Sequence, residues 1–252
     1  MQIGRAGDAT TSICQAYPDR VEVRGRDLCG DLMGRLTFTE YFHLLLIAIA
    51  EHGLMPTNVA ARMTLAADPA SLQGAVAAGI LGCGPVILGT SDECARLLED
   101  GRQRIAAGAD PDAVAAELAG EIHTAGGRAP GFGHPVHRPL DPRAERILEL
   151  ADARGVSGQS VDLARRLRDA VATAWGRPLM MNVAMPIAAV MLDLGFPAAT
   201  VKAVPLLART ASLLAHLAEE RERPVGFLMA GRAEEAVAYR PPPGEGGPGT
   251  AG

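Results

Sequence analysis

Aromatic residues make up only 4% of this 252-residue chain, so any core must be packed mainly from alanine, leucine and valine. Excess positive charge is also lacking. The formal net charge is -5, which argues against a nucleic-acid backbone as the main partner. Lysine is reduced to Lys202, with arginine in its place, a bias that coding composition explains as readily as function. Cys14, Cys29, Cys83 and Cys94 form no CxxC pair and no zinc spacing, so they read as free thiols in a reducing compartment. No basic segment followed by a long apolar core opens the sequence, and the apolar run 44–50 is too short to span a bilayer. A cytoplasmic protein with no membrane partner is the expectation. No strand-rich region and no repeat period compete with a helical reading.

Hydrophobic residues reach 48%, enough for one substantial core or two closely packed subdomains. Alanine, leucine and arginine favour helix, and an all-α fold follows from the pattern. Residues up to about 19 read as irregular, and Val21 and Val23 as a short extended piece. A buried helix is expected over 37–50. Pro56 then interrupts, and Thr57 is the candidate cap of a helix to about 66. Asp68-Pro69 reads as the next helix start, and the small residues of 74–79 as a helix pressed against another backbone. After a turn over 82–89, helices are expected over 92–103, from Asp110 to about 124, from Asp141 to about 154, and over 160–174 and 182–194. A last long helix over 200–223 is expected to kink or restart near Pro205. The Pro/Gly-rich tail 241–252 has no means of burying a core.

The most informative stretch is Gly131-Phe132-Gly133-His134-Pro135-Val136-His137-Arg138-Pro139-Leu140-Asp141-Pro142-Arg143-Ala144. Glycine lets backbone approach a ligand and proline fixes loop shape. His134 can exchange a proton near neutral pH, and Arg143 can grip a carboxylate with a planar fork. By residue types alone, a site for a carboxylate substrate and a proline-rich helix connection with incidental histidines weigh about equally. Arg209 adds a separate signal. It lies in the apolar run Pro205-Leu206-Leu207-Ala208, where burying a guanidinium without an anion is costly.

The order of these residues resembles the G-[FYI]-G-H…D-P-R motif of the citrate synthase superfamily, and in particular its short, single-module branch of citryl-CoA lyase type. Other segments resemble the family in the same order. They are Val23-Arg24-Gly25-Arg26-Asp27-Leu28, Glu51-His52-Gly53-Leu54, Ala60-Ala61-Arg62, the run 71–79, Met191-Leu192-Asp193-Leu194-Gly195-Phe196-Pro197 and Ala208-Arg209-Thr210-Ala211 with Ala215-His216. The resemblance implies one module over 1–240 with a small helical subdomain over roughly 120–200, a cleft between the two parts, and a homodimer. It implies a carbon–carbon lyase cleaving citryl-CoA, or a related 3-hydroxy-acyl-CoA, to acetyl-CoA and an oxo acid. The partners are a CoA thioester and polycarboxylates; CoA enters as part of the substrate, no cofactor is held permanently and no metal is needed.

By the same resemblance His134 is the principal catalytic group, and His52, Arg143 and Arg209 bind substrate carboxylates. Gly131, Phe132 and Gly133 lie along CoA, with Arg128 and Arg138 toward its phosphates. His43, His123 and His216 read as packing or surface residues. Three features depart from the synthases. Ile87 stands where they carry a histidine after a Gly-Pro-Leu turn. Ala184 stands where they carry a catalytic aspartate after Asn-Val. A stretch of about one helix with its turn is missing near 46–51. Two alternatives therefore stand beside the lyase: a synthase-like acyltransferase, and a weakened homologue that keeps a CoA or carboxylate pocket.

Overall fold

Proline and aspartate set several of the helix starts. The computed structural model describes residues 14–23, 26–32, 53–85, 87–134, 137 and 139–240. The helix expected over 37–50, the missing stretch near 46–51 and the tail 241–252 lie outside the described residues. Helix α1 (Pro56–Ala67) opens with Pro56 in its first turn after Met55, where a missing N–H costs nothing. Thr57 is therefore not the cap expected for it but a buried residue inside the helix. Asp68 closes α1 instead of opening the next helix, and its carboxylate accepts from Ala70 N at 3.3 Å in the intervening turn. Helix α2 (Leu72–Leu81) starts only after Ser71. Asp110 and Asp141 do open helices where they are expected to. Asp110 Oδ1 accepts from Asp112 N and Ala113 N ahead of α4 (Pro111–Thr124), and Asp141 Oδ1 accepts from Arg143 N ahead of α5 (Pro142–Ala153).

Between these lie α3 (Thr90–Ala106) and, beyond, α6 (Gln159–Ala174), α7 (Ala184–Asp193), α8 (Ala198–Val201), α9 (Ala203–Glu222) and α10 (Gly226–Ala236). The expected restart near Pro205 falls at Lys202, because Pro205 fits the first turn of α9, whose N–H groups have no helical partner. Helix α10 was not legible. Only its Gly226 is buried, and it is held from outside its own sequence by Glu220, whose carboxylate accepts from Val225 N and Gly226 N. The first described residues are also more regular than expected. Strands β1 (Cys14–Ala16), β2 (Val21–Val23) and β3 (Arg26–Asp27) form a small antiparallel sheet in that order, followed by a π-helical turn over Leu28–Leu32.

Of three apolar clusters among the described residues, two join most of the helices. The larger is centred on α7, buried from Met185 to Leu192, and gathers Leu98, Leu118, Ile147, Leu163 and Leu167 with Val21 and Leu28. Each such side chain contributes roughly 1.5–3 kcal/mol on burial. The smaller joins α1, α2 and α9 through Ala61, Leu65, Ala75, Leu213 and Leu217. Helix α9 belongs to both, giving Val204 and Ala208 to the first and Leu213 and Leu217 to the second. The close packing expected of 74–79 is present: a Cβ on Gly79 would come within 2.6 Å of Leu213. Beside the smaller cluster, buried Arg62 meets Glu219, Glu220 and His216, tying α1 to the end of α9. His216 is thus a core residue, the packing side of the packing-or-surface expectation.

Candidate active site

The glycine-rich loop is shaped by its contacts with residues 180–182. Gly131 and Gly133 have φ of 78° and 82°, a region that glycine enters without strain. Phe132 pairs with Met181 as an isolated antiparallel bridge. Gly133 N donates to Met180 O at 2.7 Å, Asn182 N to Gly131 O at 2.8 Å, and Asn182 Nδ2 to Gly133 O at 2.9 Å. A Cβ on Gly131 would lie 2.7 Å from Met185 Cβ and 2.8 Å from Cys94 Sγ. Gly131→Ala is therefore expected to destabilise the fold by about 1–3 kcal/mol from overpacking alone, measured by denaturant unfolding. An unchanged midpoint would mean that the loop is free to move off α7.

His134 leaves this loop half-buried, with its ring 4.6 Å from that of buried His137 in a stacked arrangement. The backbone N–H of His137 donates to His134 Nδ1 at 3.1 Å. A backbone amide only donates, so Nδ1 is an acceptor and the neutral ring carries its proton on Nε2. Burial, and then the charge of Arg143, lower the pKa of His137 below the ordinary histidine value, with Asp141 and the backbone of Tyr17 and Pro18 opposing.

Asp141 is the hub beneath these rings. Its Oδ1 accepts from Arg143 N and Nε, and its Oδ2 from Arg143 Nη2 at 2.8 Å and from Val183 N at 3.1 Å. Burial pushes this carboxyl up. The charge and hydrogen bonds of Arg143, with His137 and His134, outweigh that and hold it below the usual carboxylate range. Donor atoms of His134, His137 and Asp141 lie within 4.8 Å of one another. With four donors already on its two oxygens, Asp141 has no lone pair left for a metal ion. One carboxylate thus ties together the starts of α5 and α7 and fixes the guanidinium of Arg143.

A cavity of about 870 Å³ opens over this hub. It brings together Phe132, Gly133, His134, Arg143 and Arg209, with exposed Arg128 also in its wall; Gly131 lies buried beneath the loop. His52 and Arg138, the other two site residues expected from sequence, lie outside the described residues. Arg143 and Arg209 are each only 3% exposed. Arg209 Nη1 donates to Asn58 Oδ1 at 3.1 Å, and Asn58 Nδ2 donates to Gly53 O at 2.8 Å. Sequence reasoning missed several polar residues of the site: Thr90, Ser91, Glu93 and Asn182 line the cavity, and Asn58 holds Arg209 from behind. The Asn-Val pair was visible for Asn182, but nothing near Asn58 signals an arginine 151 positions away. First-turn or capping residues of α1, α3, α5 and α7, namely Met55, Thr90, Arg143 and Val183, all reach the cavity. Four helix N-termini, which carry positive partial charge, thus face the cavity beside the guanidinia of Arg143 and Arg209.

Ile87 and Ala184 line the same space, leaving two apolar patches in its wall. Asp193 does not replace the missing carboxylate at 184. It is about 13 Å further along α7 and accepts from Gly158 N, Ser160 N and Val161 N, capping α6. Nor do Cys29, Cys83 and Cys94 offer a nucleophile: burial pushes Cys29 up to about 12 and raises the other two as well.

Residues 28–228 match the family described as citrate synthase, C-terminal domain. The chain belongs to the citrate synthase family. No curated protein sequence matches it closely enough to name a relative. Among solved structures, the fold is similar to citryl-CoA lyase from Hydrogenobacter thermophilus, with a TM-score of 0.72 and 24% identity over 96% of this chain and 98% of that one. It is also similar to ATP citrate lyase from Methanosaeta concilii in complex with (3S)-citryl-CoA, at 0.63 and 20% over 96% of this chain and 43% of that one. Citrate synthase from Thermotoga maritima gives 0.60 and 21% over 74% and 50%. The family member described here thus spans nearly all of the first structure and half or less of the other two. The helical expectation and the family resemblance both hold, and at these identities the likeness to each structure is one of fold.

Proposed function

We propose that this family member is a carbon–carbon lyase that cleaves citryl-CoA, or a related 3-hydroxy-acyl-CoA, to acetyl-CoA and an oxo acid. The observation that carries the reading is one cavity that holds His134 and two buried guanidinia while presenting Ile87 and Ala184 where a synthase needs a histidine and an aspartate. Arg143, Arg209 and His52 take the substrate carboxylates. Phe132 and Gly133, with Arg128 and Arg138, meet the CoA portion, which arrives with the substrate, and buried Gly131 only shapes the loop under them; no resident cofactor is called for. His134 donates from Nε2 to the oxygen that is hydroxyl before cleavage and carbonyl after it. Charge on that oxygen as its proton leaves is where a fixed donor lowers the barrier most.

A second copy of the chain is the proposed partner. Helix α9 supports this, because Leu207 and Leu214 are 49% and 46% exposed on it, with exposed Ala211 between. A cytoplasmic setting fits the free thiols of Cys29, Cys83 and Cys94. Apolar Ala184 keeps one other reading in view, a weakened homologue that binds CoA esters without turning them over.

Incubation with citryl-CoA, and separately with acetyl-CoA plus oxaloacetate, tests the function. Acetyl-CoA released in the first mixture and no free CoA thiol in the second is the expected pair of results. Free thiol and citrate in the second mixture would make the chain a synthase. Arg209→Lys keeps the charge but not the planar fork. It is expected to weaken binding of citrate or the CoA ester by about tenfold or more, the loss of roughly one charged hydrogen bond, measured by calorimetry. Parental affinity in this variant would make Arg209 a structural residue.

A further inference from the structure

Cleavage next to a hydroxyl needs two proton transfers. The hydroxyl proton must leave, and the thioester enolate must gain a proton on carbon. Ala184 and Ile87 can do neither, Asp193 caps α6 and Asp141 is saturated by Arg143 and Val183. Among the described residues that line the cavity, one carboxylate remains: Glu93, in the first turn of α3. Its neighbours on the helix are engaged, Asp92 with Arg96 and Asp100 with Arg104. The Glu93 side chain has no ion pair or hydrogen bond to any described residue, and its backbone N–H donates to Gly89 O at 3.3 Å.

The turn before α3 has the features of a fixed platform. Leu88 has a φ of 65°, a conformation that costs a non-glycine residue of order 1–3 kcal/mol. Gly89 N donates to Gly84 O at 3.1 Å, and a Cβ on Gly89 would lie 2.5 Å from Pro85 Cα. A strained, closed loop therefore delivers Ile87, Leu88 and the first turn of α3 to the cavity wall.

The geometry points to Glu93 as the group that carries the proton between oxygen and carbon, in place of the aspartate absent at 184; this rests on the lyase reading above. The Glu93 carboxylate takes the hydroxyl proton as the carbonyl forms. The electron pair of the breaking carbon–carbon bond moves onto the thioester as an enolate. The carboxylic acid then gives the same proton to the terminal enolate carbon, making the acetyl methyl group and restoring the carboxylate. No proton is gained or lost overall. His134 holds the oxygen from Nε2 throughout.

Glu93→Gln and Glu93→Asp in the full chain test this with citryl-CoA. Glu93→Gln is expected to lower kcat by at least about 100-fold with KM within about threefold. Glu93→Asp keeps a carboxylate, so it is expected to retain part of the rate. Glu93→Gln with parental kcat, or with a changed KM alone, overturns the assignment while leaving the lyase reading intact. A parent chain inert toward citryl-CoA overturns the lyase reading and this assignment with it.

Discussion

Replacing His134 with alanine is expected to slow citryl-CoA cleavage by roughly two to three orders of magnitude, the range for removing one fixed donor to a developing oxyanion. The fold should survive. His134 is half-buried and contributes one acceptor, Nδ1, to the backbone of His137. Losing that acceptor costs about 1 kcal/mol, so thermal unfolding should shift by only a few degrees. The parent tautomer explains why the loss falls on rate. The His137 amide holds Nδ1 as an acceptor, and Nε2–H is then a prepared donor that needs no reorganisation when charge develops on the substrate oxygen. Unchanged turnover in this variant would remove His134 from the mechanism.

Arg143→Met is expected to destabilise the fold by about 3–5 kcal/mol and to abolish carboxylate binding. The first effect arises because Asp141 is fully buried and Arg143 is its ion-pair partner at 2.8 Å. With the guanidinium gone, a carboxylate is left without its counter-ion beneath the starts of α5 and α7. The double variant Asp141→Asn/Arg143→Met separates the two roles, since removing both charges removes the unpaired one. It should recover most of the stability while binding stays lost. Stability and citrate binding measured on both variants check this. Recovery of binding in the double variant would show that Arg143 serves only Asp141.

How much of this was legible in the sequence depended on how local each feature is. Asp110 and Asp141 were readable as caps because the accepting oxygen and the donating amides lie within three residues. Thr57 misled because a hydroxyl beside Pro56 looks like a cap, whereas the proline itself occupies the first turn. Asp193 has no local partner in the sequence that would signal a role. Its actual work, capping α6 from 32 to 35 positions away, exists only after α7 has docked on α6. Asn58 is illegible for the same reason, since its contact with Arg209 requires α1 against α9. The loop 131–143 was readable as a site by residue type. That Asp141 already grips Arg143 was not, because the pair was read as a cap and a free clamp.

The central claim is that the cavity around His134, Arg143 and Arg209 breaks a carbon–carbon bond. The most direct test is the time course of both products from citryl-CoA incubated with the purified chain. The account predicts acetyl-CoA and oxaloacetate appearing in equal amounts, at a rate that falls at least about 100-fold in His134→Ala. Citryl-CoA left intact, or hydrolysed to citrate and free CoA without oxaloacetate, would contradict it.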